Sequence, residues 1–343
     1  MDTSNHAAQL HAASIVIDPC VQYLIHRSDR TDRSGLTAVA LTIPRPGGDM
    51  VETWPMVRDF LDVIASEPTF CLGDSTQAIR DAHAQGKLAH IFLSQDTTFV
   101  GLDQKNLLVW KQLGLRVLQL TYMEQNYAGG GCLELNDSGL TQFGRVLIRD
   151  MEDIGMTLDL THVGERTFMD ACKAARAPLI TSHSNPLVLA PNPRNITDDQ
   201  IRAVGDSDGV VCATTWAPLI WDGTPGMPTL DDYMRCLEHT INLIGIDHVG
   251  VSTDSMGTMG AYPEHDLDPD ALDYGSISDA FDRLAQPPDN NNRQPSDFNG
   301  IEDFPLLTRK LVDSGYSDED IKKLLGENLM RVFEATWKPG FFR

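Results

Sequence analysis

The sequence has few basic residues and lacks the long apolar runs of membrane proteins. It carries 27 Lys and Arg against 49 Asp and Glu in 343 residues, a formal net charge of −22. A nucleic-acid-binding protein needs a basic face to displace counterions from phosphates, and an anionic membrane surface attracts a similar face. No stretch reaches the roughly 18 apolar residues that a membrane-spanning helix requires. We therefore expect neither a nucleic-acid partner nor a membrane partner.

Paired cysteines and a secretion signal are also missing. The six cysteines lie far apart, mostly inside apolar runs, and form no CxxC pair. This usage is typical of buried thiols in a reducing compartment. The N-terminal stretch MDTSNHAAQLHAAS lacks the charged-then-apolar layout of a secretory signal. We therefore expect a cytoplasmic protein.

A short apolar run followed by an amphipathic segment recurs along the chain. Each run has the length and β-branched content of a strand buried on both faces, as in a parallel sheet. The eight runs are Ser14–Asp18, Leu36–Ile43, Leu88–Ser94, Leu115–Thr121, Met156–Leu160, Pro178–Ser182, Gly209–Thr214 and His248–Thr253. This alternation predicts an α/β fold, a TIM-type (β/α)8 barrel. A doubly wound open sheet is the alternative, but no GxGxxG motif follows the first run.

Two segments interrupt the alternation. Pro44–Ile79 is a long connection with its own helix near Met56–Ser66, and Met256–Glu302 is rich in Gly, Pro, Asp and Asn. A long loop inside a compact domain is usually functional or disordered. We therefore predict one domain over residues 1–343, in which 256–302 is a lid or an interface insertion. The tail after residue 304 is predicted to be a helical C-terminal segment.

Polar residues follow several of the apolar runs directly. In a TIM barrel, catalytic residues come from the carboxyl ends of different strands. His162 and His183 each follow a run, and two imidazoles at adjacent strand ends could share a Zn²⁺ ion. Each histidine alone could instead bond a neighbouring carbonyl; the presence of both, with Asp254 after the last run, favours a metal. Asp254 could be a metal ligand, a general base or the cap of an Asx-turn.

Four further residues are candidates at the same end of the barrel. Arg194 lies on a proline-rich loop and could clamp a carboxylate bidentately or form a surface salt bridge. Cys20 could be a thiolate ligand, a nucleophile or a buried inert thiol. Gln22 and Gln95 are neutral, so neither is a strong general base or a strong metal ligand.

Several stretches of the sequence closely resemble those of a known family. The stretches DLTHVG and ITSHSN within Gly139–Asn195, and the closing segments IGIDHVGVSTDS and YSDEDIKKLLGENLMRVFEA, resemble the membrane (renal) dipeptidase family of metal-dependent amidohydrolase barrels. The resemblance covers nearly the whole chain. It implies a barrel that binds two zinc ions, hydrolyses dipeptides and commonly forms homodimers.

The resemblance also implies roles for single residues. His162 and His183 fall on two of the family's metal histidines, Asp254 on its catalytic aspartate, and Arg194 on its arginine for the substrate carboxylate.

Other positions depart from the family pattern. The family's His-x-Asp after strand one is Cys20-Val21-Gln22, its bridging glutamate falls on Gln95, and its substrate-contacting histidine falls on Tyr122. Three of the five protein ligands for the metal pair are thus changed. The chain looks closer to a divergent bacterial branch with similar departures.

These departures lead to a specific functional prediction. A two-metal site needs anionic ligands to offset about four positive charges. We therefore predict at most one Zn²⁺ or other divalent ion, held by His162 and His183 and completed by Gln95, Asp254 or water. The predicted activity is dipeptidase-like hydrolysis of an amide or related C–N bond in a small carboxylate-bearing substrate.

Within that prediction, Asp254 transfers the proton and Tyr122 donates to the developing oxyanion. Arg194 holds the substrate carboxylate, and Cys20 and Gln22 contact the substrate. Two alternatives stay open: decarboxylase or lyase chemistry at the same metal, and a non-catalytic binding protein on a decayed scaffold.

Overall fold

Nine parallel strands form one sheet in the part of the chain that the structure describes. The structure is a computed structural model that describes residues 3–22, 28–43, 46–255, 283–288 and 293–339. The strands are β1 Ile17–Val21, β2 Ala38–Thr42, β3 Phe70–Leu72, β4 Leu88–Ser94, β5 Leu115–Gln119, β6 Thr157–Asp159, β7 Ile180–Thr181, β8 Val210–Thr214 and β9 Val249–Ser252. Seven of the eight predicted runs contain one of these strands, and the first run, Ser14–Asp18, overlaps only the start of β1.

Eight of these strands form a closed ring. Their order is β1-β2-β4-β5-β6-β7-β8-β9. Val21 forms a parallel bridge with Ser255 just after β9, and Gln22 N donates to Ser255 O at 2.9 Å. The ring therefore closes between β9 and β1, which confirms the predicted barrel and makes the open-sheet alternative wrong.

The remaining strand, β3, lies outside the ring and was not predicted. It pairs with the first half of β4, in the register Phe70 with Leu88, whereas the second half of β4 pairs with β5. A run of three residues is too short to be distinguished from a turn by periodicity.

Helices follow most of the strands. They are α1 Thr3–Ala13, α2 Asp29–Ser34, α3 Met50–Ser66, α4 Thr76–Gln85, α5 Asn106–Gln112, α6 Gln142–Ile154, α7 Glu165–Ala174, α8 Asp198–Asp206, α9 Leu230–Ile244, α10 Phe304–Asp313, α11 Asp318–Lys322 and α12 Asn328–Thr336. Helix α3 begins before the predicted Met56 because Asp49 caps it and accepts hydrogen bonds from Val51 N and Glu52 N. None of the described helices has the length and apolar character needed to cross a membrane.

The C-terminal helix α12 covers the amino ends of the strands. Asn328 Nδ2 donates to Val249 O at the start of β9, and Trp337 Nε1, just beyond α12, donates to Thr157 Oγ1 at the start of β6. Phe333 of α12 is buried with inward residues of several strands. The predicted helical tail is thus confirmed, and only the opposite, carboxyl end of the barrel is left for a substrate.

Most of the predicted lid lies outside the described residues, namely 256–282 and 289–292. Its role as a lid or an interface stays a prediction. In the described remainder, Leu284 packs with Met123 and Leu133 after β5 and with Trp216 and Leu219 after β8. This small apolar cluster stands beside the carboxyl ends of the strands.

Candidate active site

The structure brings the predicted site residues together at the carboxyl end of the barrel. They lie at or near the carboxyl ends of six strands, and their side chains converge. The buried members are Cys20 in β1, Gln95 after β4, His162 after β6, His183 after β7 and Asp254 after β9, while Gln22 and Tyr122 are partly exposed. Parallel strands present their carboxyl ends at the same edge, and this accounts for the convergence.

The two histidines face each other through the same ring nitrogen. His162 Nε2 and His183 Nε2 lie 3.1 Å apart. His183 Nδ1 is hydrogen-bonded to Ser182 Oγ at 2.8 Å, which orients its ring. His162 Nδ1 is buried without a hydrogen-bond partner among the described residues, and the Tyr122 ring lies against this imidazole at a centroid distance of 4.2 Å. Two nitrogens that converge in this way can share one proton or one cation.

Both imidazoles are held in the neutral form. Burial lowers the pKa of His183 to about 3; Asp254 opposes this shift, and the charges of Arg194 and Arg293 add to it. Burial also lowers the pKa of His162 well below its ordinary value, with smaller contributions from Arg194 and His183. Metal ligation requires neutral imidazole, so both side chains are in the protonation state that a divalent ion needs.

A second cluster overlaps the histidine pair at His183. The potential ligand atoms of Cys20, His183 and Asp254 all lie within 4.8 Å of one another. Cys20 Sγ is 3.6 Å from Asp254 Oδ1 and 3.9 Å from His183 Nε2. Gln95 Nε2 donates to Cys20 Sγ at 3.1 Å, and Gln22 Nε2 donates to Asp254 Oδ1 at 2.9 Å.

Cys20 is a thiol in this environment. Burial raises its pKa well above the ordinary value, and the nearby carboxylate of Asp254 raises it further. A thiolate is the nucleophilic and ligating form of cysteine. The geometry therefore favours a neutral role for Cys20 over that of an activated nucleophile.

The donor set fits one divalent ion better than two. His162 and His183 supply neutral imidazole nitrogens, and Asp254 supplies one carboxylate. Cys20 and Gln95, at the positions where the two-metal pattern has a ligand and a bridge, are neutral and already hydrogen-bonded to each other. A pair of ions would need further anionic ligands to offset its charge.

Arg194 is buried, with an exposed fraction of 1%, so the surface-salt-bridge interpretation is wrong. Its Nη2 donates to His183 O at 2.8 Å and its Nη1 to Ser184 Oγ at 3.0 Å. Its Nε is enclosed and has no hydrogen-bond partner among the described residues. A buried guanidinium with unused donor capacity beside the site is suited to an anionic ligand.

Two buried carboxylates that we did not single out in the sequence position the loops of the site. Asp18 accepts hydrogen bonds from Cys20 N at 3.3 Å and from Thr253 N at 3.2 Å. Asp159 accepts from Ser182 N at 3.1 Å. Burial raises the pKa of Asp18 to about 7, although these donors oppose the shift. A sequence signal existed, because Asp159 interrupts a mainly apolar run and Asp18 ends one.

Arg293 is the other residue that the sequence analysis missed. Its Nη2 lies 3.4 Å from Asp254 Oδ2, and its guanidinium carbon lies 4.8 Å from the centre of the Trp216 ring. It belongs to the segment predicted only as a lid or an interface. Arg293 does not directly follow a strand, so the expectation that catalytic residues lie at the carboxyl ends of strands does not identify it.

Comparison with known proteins agrees with this geometry. Residues 47–267 and 284–338 match the sequence profile described as Membrane dipeptidase (Peptidase family M19). The chain belongs to the membrane dipeptidase family. This is a family of metal-dependent hydrolases, and the membership confirms the predicted resemblance.

Individual relatives show the extent of the likeness. The chain is 27% identical over 252 residues to the dipeptidase TcpJ of Claviceps purpurea, which covers 72% of this chain and 51% of that protein. It is 31% identical over 202 residues to a protein encoded in the pqqA 5′ region of Klebsiella pneumoniae, covering 58% of this chain and 62% of that one. The chain thus spans roughly half to three-fifths of the length of these relatives.

Solved structures resemble the whole barrel. An amidohydrolase from Pseudomonas aeruginosa is 29% identical, with a TM-score of 0.84 over 96% of this chain and 99% of that one. A metallopeptidase from Rhodobacter sphaeroides, bound to a phosphinate mimic of the dipeptide L-Ala-D-Ala, has a TM-score of 0.75 over 94% of this chain and 100% of that one. At 20% identity the latter likeness shows the fold alone.

Proposed function

We propose that this chain is a metal-dependent hydrolase of the dipeptidase type that uses one divalent ion. Its substrate is a small carboxylate-bearing molecule in which an amide or related C–N bond is cleaved. The observation that carries the proposal is the pair of buried, neutral imidazoles whose Nε2 atoms lie 3.1 Å apart. Membership of the membrane dipeptidase family supports hydrolysis as the chemistry.

The residues that would hold the ion are His162 and His183, with Asp254 or the Gln95 side-chain oxygen completing the set. A divalent ion such as Zn²⁺ would supply polarisation of the scissile carbonyl and a more acidic bound water. Asp254 is the carboxylate of the cluster and is the group that accepts and returns the proton.

Other side chains bind and orient the substrate. Arg194 offers an enclosed Nε without a partner among the described residues, and we assign the substrate carboxylate to it. Tyr122 is partly exposed and lies against His162, from where its hydroxyl can donate to a developing oxyanion. Cys20 and Gln22 are neutral contacts on the same side as Asp254.

Metal content is the first test. Protein purified without a chelator or a metal-binding tag is analysed by ICP-MS, beside His162→Ala/His183→Ala and a control, His6→Ala/His239→Ala, at histidines away from the cluster. We expect about one ion per chain in the wild type and control and none in the site variant. Two ions would mean that Cys20 and the amides ligate; no ion in the wild type would favour a decayed, non-catalytic scaffold.

Product analysis tests the reaction separately. N-acyl amino acids and dipeptides are incubated with the metal-loaded protein, and the products are identified by mass spectrometry. Free amine plus free acid would support hydrolysis, whereas release of CO₂ or an unsaturated product would favour the decarboxylase or lyase alternative. The predicted homodimer and cytoplasmic location stay predictions.

A further inference from the structure

The segment that carries Arg293 is fixed at the mouth of the barrel. Ala217 N donates to Arg293 O at 2.8 Å. The adjacent Gln294 accepts from Thr215 Oγ1 at 2.5 Å and donates from Nε2 to Thr253 O at 3.0 Å. These bonds tie Arg293 to the loops after β8 and β9, so its position is set by the barrel itself.

The guanidinium of Arg293 is only weakly engaged by the protein. Its contact with Asp254 Oδ2 is long, at 3.4 Å, and its Nε is buried without a hydrogen-bond partner among the described residues. Its packing over the Trp216 ring orients the planar group without using its N–H donors. An arginine has five N–H donors in a fixed fork, so Arg293 retains the capacity to bind a further anion.

The backbone at Arg293 shares an uncommon conformation with two other site residues. Among the described residues, four that are not glycine have a positive φ: His162, Asp208, Asp254 and Arg293. Three of these four surround the site. Positive φ costs energy for a residue with a Cβ, and such strain concentrates where a side chain must be aimed for function.

Two cationic side chains and one carboxylate lie beside the histidine pair. Arg194 and Arg293 carry the positive charges, and Asp254 Oδ2 lies 3.4 Å from Arg293 Nη2. Asp18 and Asp159 lie in the barrel interior, where they accept hydrogen bonds from the strand-end loops. A single substrate carboxylate, bound by Arg194, would leave Arg293 with only its long contact to Asp254.

We infer that Arg293 binds a second anionic group of the substrate, and that the substrate is therefore a dicarboxylate rather than a monocarboxylate. In this arrangement Arg194 and Arg293 each hold one carboxylate of the substrate. The bond to be cleaved lies between the two arginines on one side and the histidine pair on the other. The inference rests on the proposed function, because it specifies the substrate of that same site. Arg293 is a specificity-determining residue in this account.

Equilibrium binding of non-hydrolysable probes tests the inference without turnover. Succinate is compared with 4-oxopentanoate, and glutarate with 5-oxohexanoate; in each pair a methyl ketone replaces one carboxylate at similar size. Calorimetric titration of the protein as purified gives the ratio of the two dissociation constants for each pair. The variants are Arg293→Gln, Arg293→Lys and a control, Arg283→Gln, which removes the same charge from an arginine near Glu124.

We expect the wild type to bind at least one dianion about tenfold more tightly than its monoanionic partner, which is about 1.4 kcal/mol. The ratio should fall to about one or two in Arg293→Gln, recover partly in Arg293→Lys and stay unchanged in Arg283→Gln, because only Arg293 makes the second charge-assisted contact. Unfolding midpoints of the variants verify that they are folded.

Three results would overturn the inference. One is a ratio in Arg293→Gln equal to that of the wild type. Another is an equal weakening of both probes, which would mean that Arg293 only positions Asp254. The third is a wild type that binds neither dianion. The binding experiment does not measure hydrolysis. A failure of the proposed reaction would therefore appear only in the product analysis, and the binding ratios could still be interpreted.

Discussion

Acid should destabilise this protein through the buried histidine pair. We consider protein freed of metal with a chelator and compare the wild type with His183→Gln, which cannot take up a proton at this position. His183 is almost fully buried, with an exposed fraction of 1%, and burial lowers its pKa to about 3. The unfolded chain exposes the same imidazole with its ordinary pKa of about 6.5.

The sign of the effect follows from these two values. Below about pH 6.5 the unfolded state binds a proton that the folded state does not, so stability contributed by neutral His183 is present above this pH and is lost as pH falls towards about 3. At about pH 5, which is roughly 1.5 units below the pKa of His183 in the unfolded chain, protonation of the unfolded state lowers the free energy of unfolding by about 2 kcal/mol. His162, whose pKa is also lowered, adds to the loss in both proteins.

Urea unfolding at two pH values measures the effect. Between about pH 7.5 and about pH 5, the wild type should lose about 2 kcal/mol more free energy of unfolding than His183→Gln. A control variant, His6→Gln, changes a histidine with 38% exposure and should follow the wild type. Equal acid losses in the wild type and His183→Gln would refute the reasoning, because they would mean that the buried imidazole accepts a proton as readily as an exposed one.

Three further predictions concern metal number, substrate binding and packing. The triple variant Cys20→His/Gln22→Asp/Gln95→Glu restores the three changed ligands, including two anionic oxygens, so metal content by ICP-MS should rise to about two ions per chain; unchanged content would contradict the argument that neutral ligands limit the site. Arg194→Gln should raise KM for a carboxylate substrate by about 100-fold, and steady-state kinetics that show only a lower kcat would contradict this. Gly131→Ala would bring a methyl group within 2.3 Å of Tyr122 O and should cost about 1–3 kcal/mol in urea unfolding; an equally stable variant would show that this loop moves freely.

Much of the fold was predictable because a strand that is buried on both faces appears in the sequence as a short continuous apolar run. Most of the apolar runs are followed by a helix in the described part of the chain, and the eight runs account for all of the strands in the ring. The short β3 was missed because three residues carry no periodicity. The start of α3 was placed too late, although the capping pair Asp49 and Glu52 was visible in the sequence.

The candidate site was partly predictable for a related reason. His162, His183 and Asp254 follow strands directly, and a parallel barrel collects the carboxyl ends of its strands at one edge whatever the rest of the chain does. Arg194 could be named as a candidate from its position on a proline-rich loop. Its burial could not be predicted, because the sequence does not show how the loops at the end of the barrel pack over one another.

By itself, then, the sequence determined the barrel, the edge where chemistry can occur and the identity of most groups at that edge, since these depend on local burial patterns and on the order of strands. Only the tertiary structure decided how those groups meet. The 3.1 Å approach of the two imidazoles and the hydrogen bonding of Cys20 and Gln95 depend on how the strands tilt and pack. The return of Arg293 to Asp254 and Trp216 joins segments far apart in the chain, and long-range contacts of this kind leave no local pattern in a sequence.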